Sequence, residues 1–168
     1  GIEDLSGKLK FLWDEKYLYI GVEVIDDVHS TPYADGSIWN QDGLQFLFDP
    51  KRGEKEKKGK YDISIASGQK GLQCWSHLTA DPAKSPTGEI KDVKIGFKRI
   101  DNKTIYEIAI PWDKLSPFYP FPGADLGVAM IINEDDGKGR VSFIGWFGCV
   151  HSKQMDMVGD LILLEKEK

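Results

Sequence analysis

Trp39, Gln45, Asp62, Ser64 and Arg140 are the residues of this 168-residue chain whose types suit one shared task. An indole offers a flat apolar plane. Amide, carboxylate, hydroxyl and guanidinium groups offer directional hydrogen bonds around its edge. Together they fit a ligand with C–H faces rimmed by hydroxyls, which is the description of a sugar. Trp39 stands in the polar turn S-I-W-N-Q-D, where no alternation demands its burial. An exposed indole beside a sheet calls for something to stack on it; the alternative is a lid folded back over the core. Trp146 also lies beside a polar turn. Trp13 and Trp112, by contrast, fall at core-like or element-end positions.

Chemistry of the bond-breaking kind finds no constellation. The chain has no G-x-S-x-G, H-E-x-x-H, G-x-G-x-x-G or P-loop. The three histidines, His29, His77 and His151, lie far apart in separate loops and read as surface residues. Paired carboxylates could serve glycoside hydrolysis. Asp26-Asp27 and Asp135-Asp136 sit in turns, however, where Asp is favoured for backbone reasons. A structural calcium ion on Asp26, Asp27 and Asp49 is the metal reading, since a hard cation needs only converging oxygens. The alternative is that all three are solvated turn residues. Cys74 and Cys149 fit one disulfide or two buried thiols, with no C-x-x-C pair. Asn102-Lys103-Thr104 matches a glycosylation acceptor, a triplet common by chance.

The net charge of -5 argues against nucleic acid, whose binders rest on phosphate neutralisation. No apolar run is long enough to cross a bilayer as a helix, and no signal peptide opens the chain. Residues 51–60, K-R-G-E-K-E-K-K-G-K, hold six basic and two acidic side chains and read as a solvated hairpin loop.

The elements that must position these groups are strands. Leu44, Phe46 and Phe48 alternate with Gln45 and Leu47, which sets Gln45 on the face opposite the core. Lys8–Trp13 and Tyr17–Val24 form a hairpin around Asp14-Glu15-Lys16. Tyr61–Ile65, Leu72–Ser76, Val93–Phe97, Thr104–Ile110, Leu126–Ile132, Val141–Trp146 and Leu161–Leu164 continue the series, with Thr79–Gly88 as loop. Trp112–Leu115 fits one helical turn after Pro111. About ten short strands with turns between them predict an all-β chain, an antiparallel, jelly-roll-like β-sandwich, as a single domain over 1–168.

F-L-W-D-E-K-Y-L-Y-I-G-V-E-V-I-D-D, I-W-N-Q-D-G-L-Q-F-L-F-D, Y-E-I-A-I-P-W, L-G-V-A-M-I-I-N-E-D-D and V-G-D-L-I-L-L stand in that order. This chain resembles the family 9 carbohydrate-binding modules, part of the DOMON-like group of β-sandwiches, over nearly its whole length. The resemblance implies a non-catalytic accessory module, extracellular or periplasmic, linked to a glycoside hydrolase such as a xylanase. Its partners would be carbohydrate, xylan or cellulose, and the linked catalytic domain, with neither nucleic acid nor membrane. It implies sugar gripped between two tryptophans, and structural calcium. Trp39 matches one wall and Arg140 a basic sugar contact. Gln45 stands where the family's sugar binder has Glu, Asp62 where it has Arg, and Ile131 where it has Gln. The second tryptophan falls near His151 or Ser152, so Phe147, Tyr33 or His151 would supply that wall. Only Gly1–Lys10 precede F-L-W-D where the family has a further strand region, which suggests a trimmed N terminus.

Two other readings remain. A docking domain with a decayed sugar site fits the departures at Asp62, Ile131 and Ser152. A DOMON-type haem module would draw on Met130, Met155, Met157 and His151, without a spacing that pairs them.

Overall fold

Alternation along the chain resolves into two antiparallel sheets. The computed structural model describes residues 1, 4–52, 60–148, 150, 152 and 157–165. The smaller sheet has the order β1 (Leu5–Trp13), β2 (Tyr17–Asp26), β8 (Lys103–Pro111), β7 (Lys94–Ile100). The larger runs β10 (Ser142–Trp146), β9 (Asp125–Glu134), β3 (Gly43–Asp49), β4 (Tyr61–Gly68), β5 (Gly71–Leu78), β6 (Gly88–Glu89), with β11 (Gly159–Ile162) also on β9. The all-β sandwich expected from the sequence is therefore the fold. Asp14 closes the first hairpin by accepting the Lys16 and Tyr17 amides at 2.7 and 2.8 Å, as Asp does in turns. The expected turn at Trp112–Leu115 is a 3-10 helix, and a second one spans Asp35–Asn40. The two-residue strand β6 replaces the end of an expected loop; it is too short for alternation to reveal.

The inner faces enclose one core. Leu18, Ile20 and Val22 from β2 meet Leu44, Phe46 and Phe48 from β3, with Ile63, Ile65, Tyr106, Ile108 and Leu126 around them. Burying each such side chain contributes about 1.5–3 kcal/mol. A second, smaller cluster lies on the other face of the large sheet: Leu47, Ala129, Ile131, Val150 and Val158. It changes the status of β3, all of whose residues are buried. A one-sided strand became a two-sided one.

The basic stretch 51–60 departs from its solvated reading at its end. The Lys60 ammonium is buried and pairs with Asp49 at 2.9 Å; residues 53–59 lie outside the described residues. Cys74 is a buried free thiol whose pKa burial raises. Cys149, the other cysteine of that open choice between one disulfide and two thiols, is outside the described residues.

Candidate functional site

The rim of the large sheet carries the site. Trp39 lies in the Asp35–Asn40 3-10 helix, 38% exposed. The Arg140 guanidinium sits 4.8 Å from the centre of its ring and 5.6 Å from that of Phe143. A cation over an indole face contributes about 0.5–1 kcal/mol at an exposed position. Arg140 is held from several sides. Its amide points to the Asn40 carbonyl at 3.1 Å, and its Nη1 donates to Asn133 Oδ1 at 3.1 Å. Burial lowers its pKa. Gly139 has φ +82°, and a Cβ there would lie 2.9 Å from Asn40 Nδ2. Only glycine fits both demands, and the backbone is thus turned to aim Arg140.

Asn133 and Phe143 are register partners across β9 and β10, so they share the sheet's outer face. Trp75, opposite Ser64 on β5, lies on that face as well. Its indole nitrogen is 3.4 Å from where a Cβ on Gly36 would be. Phe143, Asn133, Asn40 and Trp75 were not foreseen as site residues. No local pattern pointed to Phe143, since its odd separation from Arg140 gives the two opposite strand parity.

The polar residues placed beside Trp39 from sequence meet a different fate. Gln45 is 5% exposed and its Nε2 donates to Asp62 Oδ1 at 2.8 Å. Asp62 is 4% exposed. Ser64 is wholly buried, with its Oγ 2.9 Å from His77 Nε2. They do share the outer face, but it is a covered one, and Gln45 and Ser64 spend their polar atoms on neighbours. The expectation that Gln45 faces a ligand because it faces away from the core is corrected accordingly.

Trp146 is not brought to Trp39. It pairs with Met130, a core residue, and so points to the inner face, where its ring stacks on Phe11 at 5.9 Å. Strand parity decides this, because Phe143 and Trp146 lie an odd number of residues apart. Phe147 contacts Trp146 at 4.9 Å between ring centres. His151 lies outside the described residues.

The family model described as "Carbohydrate family 9 binding domain-like" matches residues 1–166. The chain belongs to this family. Members are non-catalytic, and the module is a carbohydrate-binding one with no chemistry of its own. It is 28% identical over 145 residues to endo-1,4-beta-xylanase A of Thermotoga maritima and 26% to that of Thermotoga neapolitana. Each match takes 86% of this chain and 12% of the xylanase, so the chain spans about an eighth of the length of those curated relatives. A family 9 module from Caldicellulosiruptor kristjanssonii in complex with cellotriose superposes with a TM-score of 0.74 at 18% identity. That match covers 97% of this chain and 77% of the other, and a glucose complex of a family 9 module from the same organism gives the same score at 17% identity. At such identity the likeness shows the fold. Among the described residues no helix is long and apolar enough to cross a membrane.

The carboxylates named for calcium in the module do not converge. Asp27 is exposed. Asp49 ends β3, whose seven residues at ~3.3 Å each set it about 20 Å from Asp42 at the other end. Asp26 instead meets His29 and Asp42, with one ligand atom from each lying within 4.8 Å of the others. Asp42 already accepts the Ser30 amide at 2.6 Å and the Asp135 amide at 2.8 Å. Calcium takes oxygen ligands, and one of these three donors is an imidazole nitrogen. The donor set does not fit that ion. Burial raises the Asp42 pKa, though His29 and the two amides pull against it. Burial lowers that of His29, but Asp26 and Asp42 outweigh it and leave it raised.

Proposed function

We propose that the module binds a β-linked oligo- or polysaccharide of the xylan or cellulose class by stacking a pyranose on Trp39. The observation that carries this reading is the half-exposed Trp39 ring, with Arg140 braced between it and Phe143. The ring's open part offers a plane for C–H groups, and the guanidinium donates to hydroxyls at its edge. Phe143 stands where a second wall is wanted. A phenyl on the far side of an arginine is a poorer clamp than a facing indole. Affinity is expected at about micromolar to millimolar dissociation constants.

Binding places a linked catalytic domain near its polymer, a gain of effective concentration rather than of chemistry. The matched xylanases, in which this chain's counterpart is a small part, support that arrangement and an extracellular or periplasmic location. Isothermal titration with cello- and xylo-oligosaccharides, using Trp39→Ala as the control, tests the reading. Heat with a β-linked oligosaccharide that vanishes in the variant is the expected result, and silence across the panel overturns it.

One observation favours a docking domain with a reduced sugar site. Gln45 and Asp62, at positions where the family binder contacts sugar, are buried and bonded to each other. On that reading the protein folds, fails the panel, and is still required by its neighbouring domain.

A further inference from the structure

We propose that Asp26, His29 and Asp42 form a site for a divalent transition metal of the zinc class, which pins the small sheet to the large one. Asp26 ends β2 in the small sheet, Asp42 immediately precedes β3 in the large sheet, and His29 lies in the connection between them. His29 Nδ1 is 3.4 Å from Asp42 Oδ2 and 3.8 Å from Asp26 Oδ2. The edge of a tetrahedron built on ~2.1 Å metal bonds is about 3.4 Å. The imidazole is held in place by the Phe97 ring, stacked at 6.2 Å.

A second observation points into the same space. Asp26 is 2% exposed, and its Oδ1 is buried without a hydrogen-bond partner. The same is true of Asn133 Nδ2. Both residues line a cavity of about 10 Å³, together with His29, Asp42, Thr104 and Tyr106. That is room for one atom-sized occupant. A metal ion would take the unpartnered carboxylate oxygen of Asp26.

Charge agrees. Two buried carboxylates, Asp26 and Asp42, meet here. Among the described residues the fixed cation facing Asp26 is Arg99, 3.6 Å from Asp26 Oδ2. Its own N–H groups are directed at Thr104 Oγ1 and the Asp26 carbonyl, both at 2.8 Å. One arginine offsets one of the two negative charges, and the other is left for a bound cation. An imidazole ligand selects zinc, cobalt or nickel over calcium and magnesium.

The test is thermal unfolding of chelator-stripped protein with zinc, cobalt, manganese, calcium or magnesium added singly. Zinc and cobalt are expected to raise the midpoint by several degrees, and to bind at least about tenfold tighter than calcium. Cobalt should also give the visible absorption of a four-coordinate site. His29→Asp should exchange the preference, losing most of the zinc shift and gaining one with calcium. A calcium shift equal to the zinc shift in the unaltered protein overturns the proposal, as does no shift with any ion, which would mean that the cavity holds water alone. A zinc shift that survives both His29→Asp and His29→Ala also overturns it. If the variants do not fold, the cobalt spectrum of the unaltered protein decides. None of these readouts depends on sugar, so failure here and failure of the sugar reading are separable.

Discussion

The large sheet presents two groups of polar and aromatic residues a few positions apart, and they differ in what covers them. In the middle of its outer face, Gln45, Asp62 and Ser64 are buried, Gln45 and Asp62 hydrogen-bonded to each other and Ser64 to His77. At its rim, Trp39 and Phe143 remain part-exposed around Arg140. The difference teaches that residue type does not make a ligand contact. A buried amide already satisfied by a carboxylate is worth more to the fold than to a sugar, because leaving one partner unpaired is costly. A guanidinium on an open aromatic plane has donors left to offer.

The comparison predicts that variants in the middle damage stability and variants at the rim damage binding. Asp62→Ala should have the largest effect. It strands the Gln45 amide and costs about 2–3 kcal/mol of stability, a fall of roughly 5–10 °C in unfolding midpoint. The folded protein should keep its sugar affinity within about twofold. Trp39→Ala comes next: titration should show an affinity loss of about tenfold or more, worth about 1.4 kcal/mol, with the unfolding midpoint little changed. Arg140→Ala should weaken binding by roughly three- to fivefold. Arg140→Lys should restore only part of that loss, since a compact ammonium lacks the planar fork that lies on Trp39. Trp146→Ala is the smallest in binding terms. Its ring is on the other face, so affinity should stay within about twofold of the parent while calorimetry registers a modest loss of stability. A large binding defect in that variant, or none in Trp39→Ala, would break the contrast.

Much of the architecture was legible in advance. Asp14 in its turn, the alternation of β2 and β3, and Pro111 ahead of a single helical turn are local events, and each appears where the pattern puts it. Trp39 was legible for the same reason, being an indole in a polar turn. Gln45 was half legible. Alternation says which face a residue takes and nothing about whether that face is covered. The second cluster joins Leu47 to Val150 and Val158, about a hundred residues further along. Trp146 is part-exposed beside its turn, on the inner side that its parity with Ile144 assigns and away from Trp39. Phe143 and Asn133 became site residues only when β9 and β10 aligned in register.

By itself the sequence determined the strands, the turns, the family and the part-exposed indole of Trp39, because these depend on contacts among near neighbours and on side-chain period. Only the tertiary structure decided that Arg140 lies over Trp39, that Gln45 is spent on Asp62, and that Asp26 and Asp42 meet around His29. Those encounters join residues that are distant in the chain or on different sheets. Their outcome rests on register and on what seals each face, quantities that no local pattern carries.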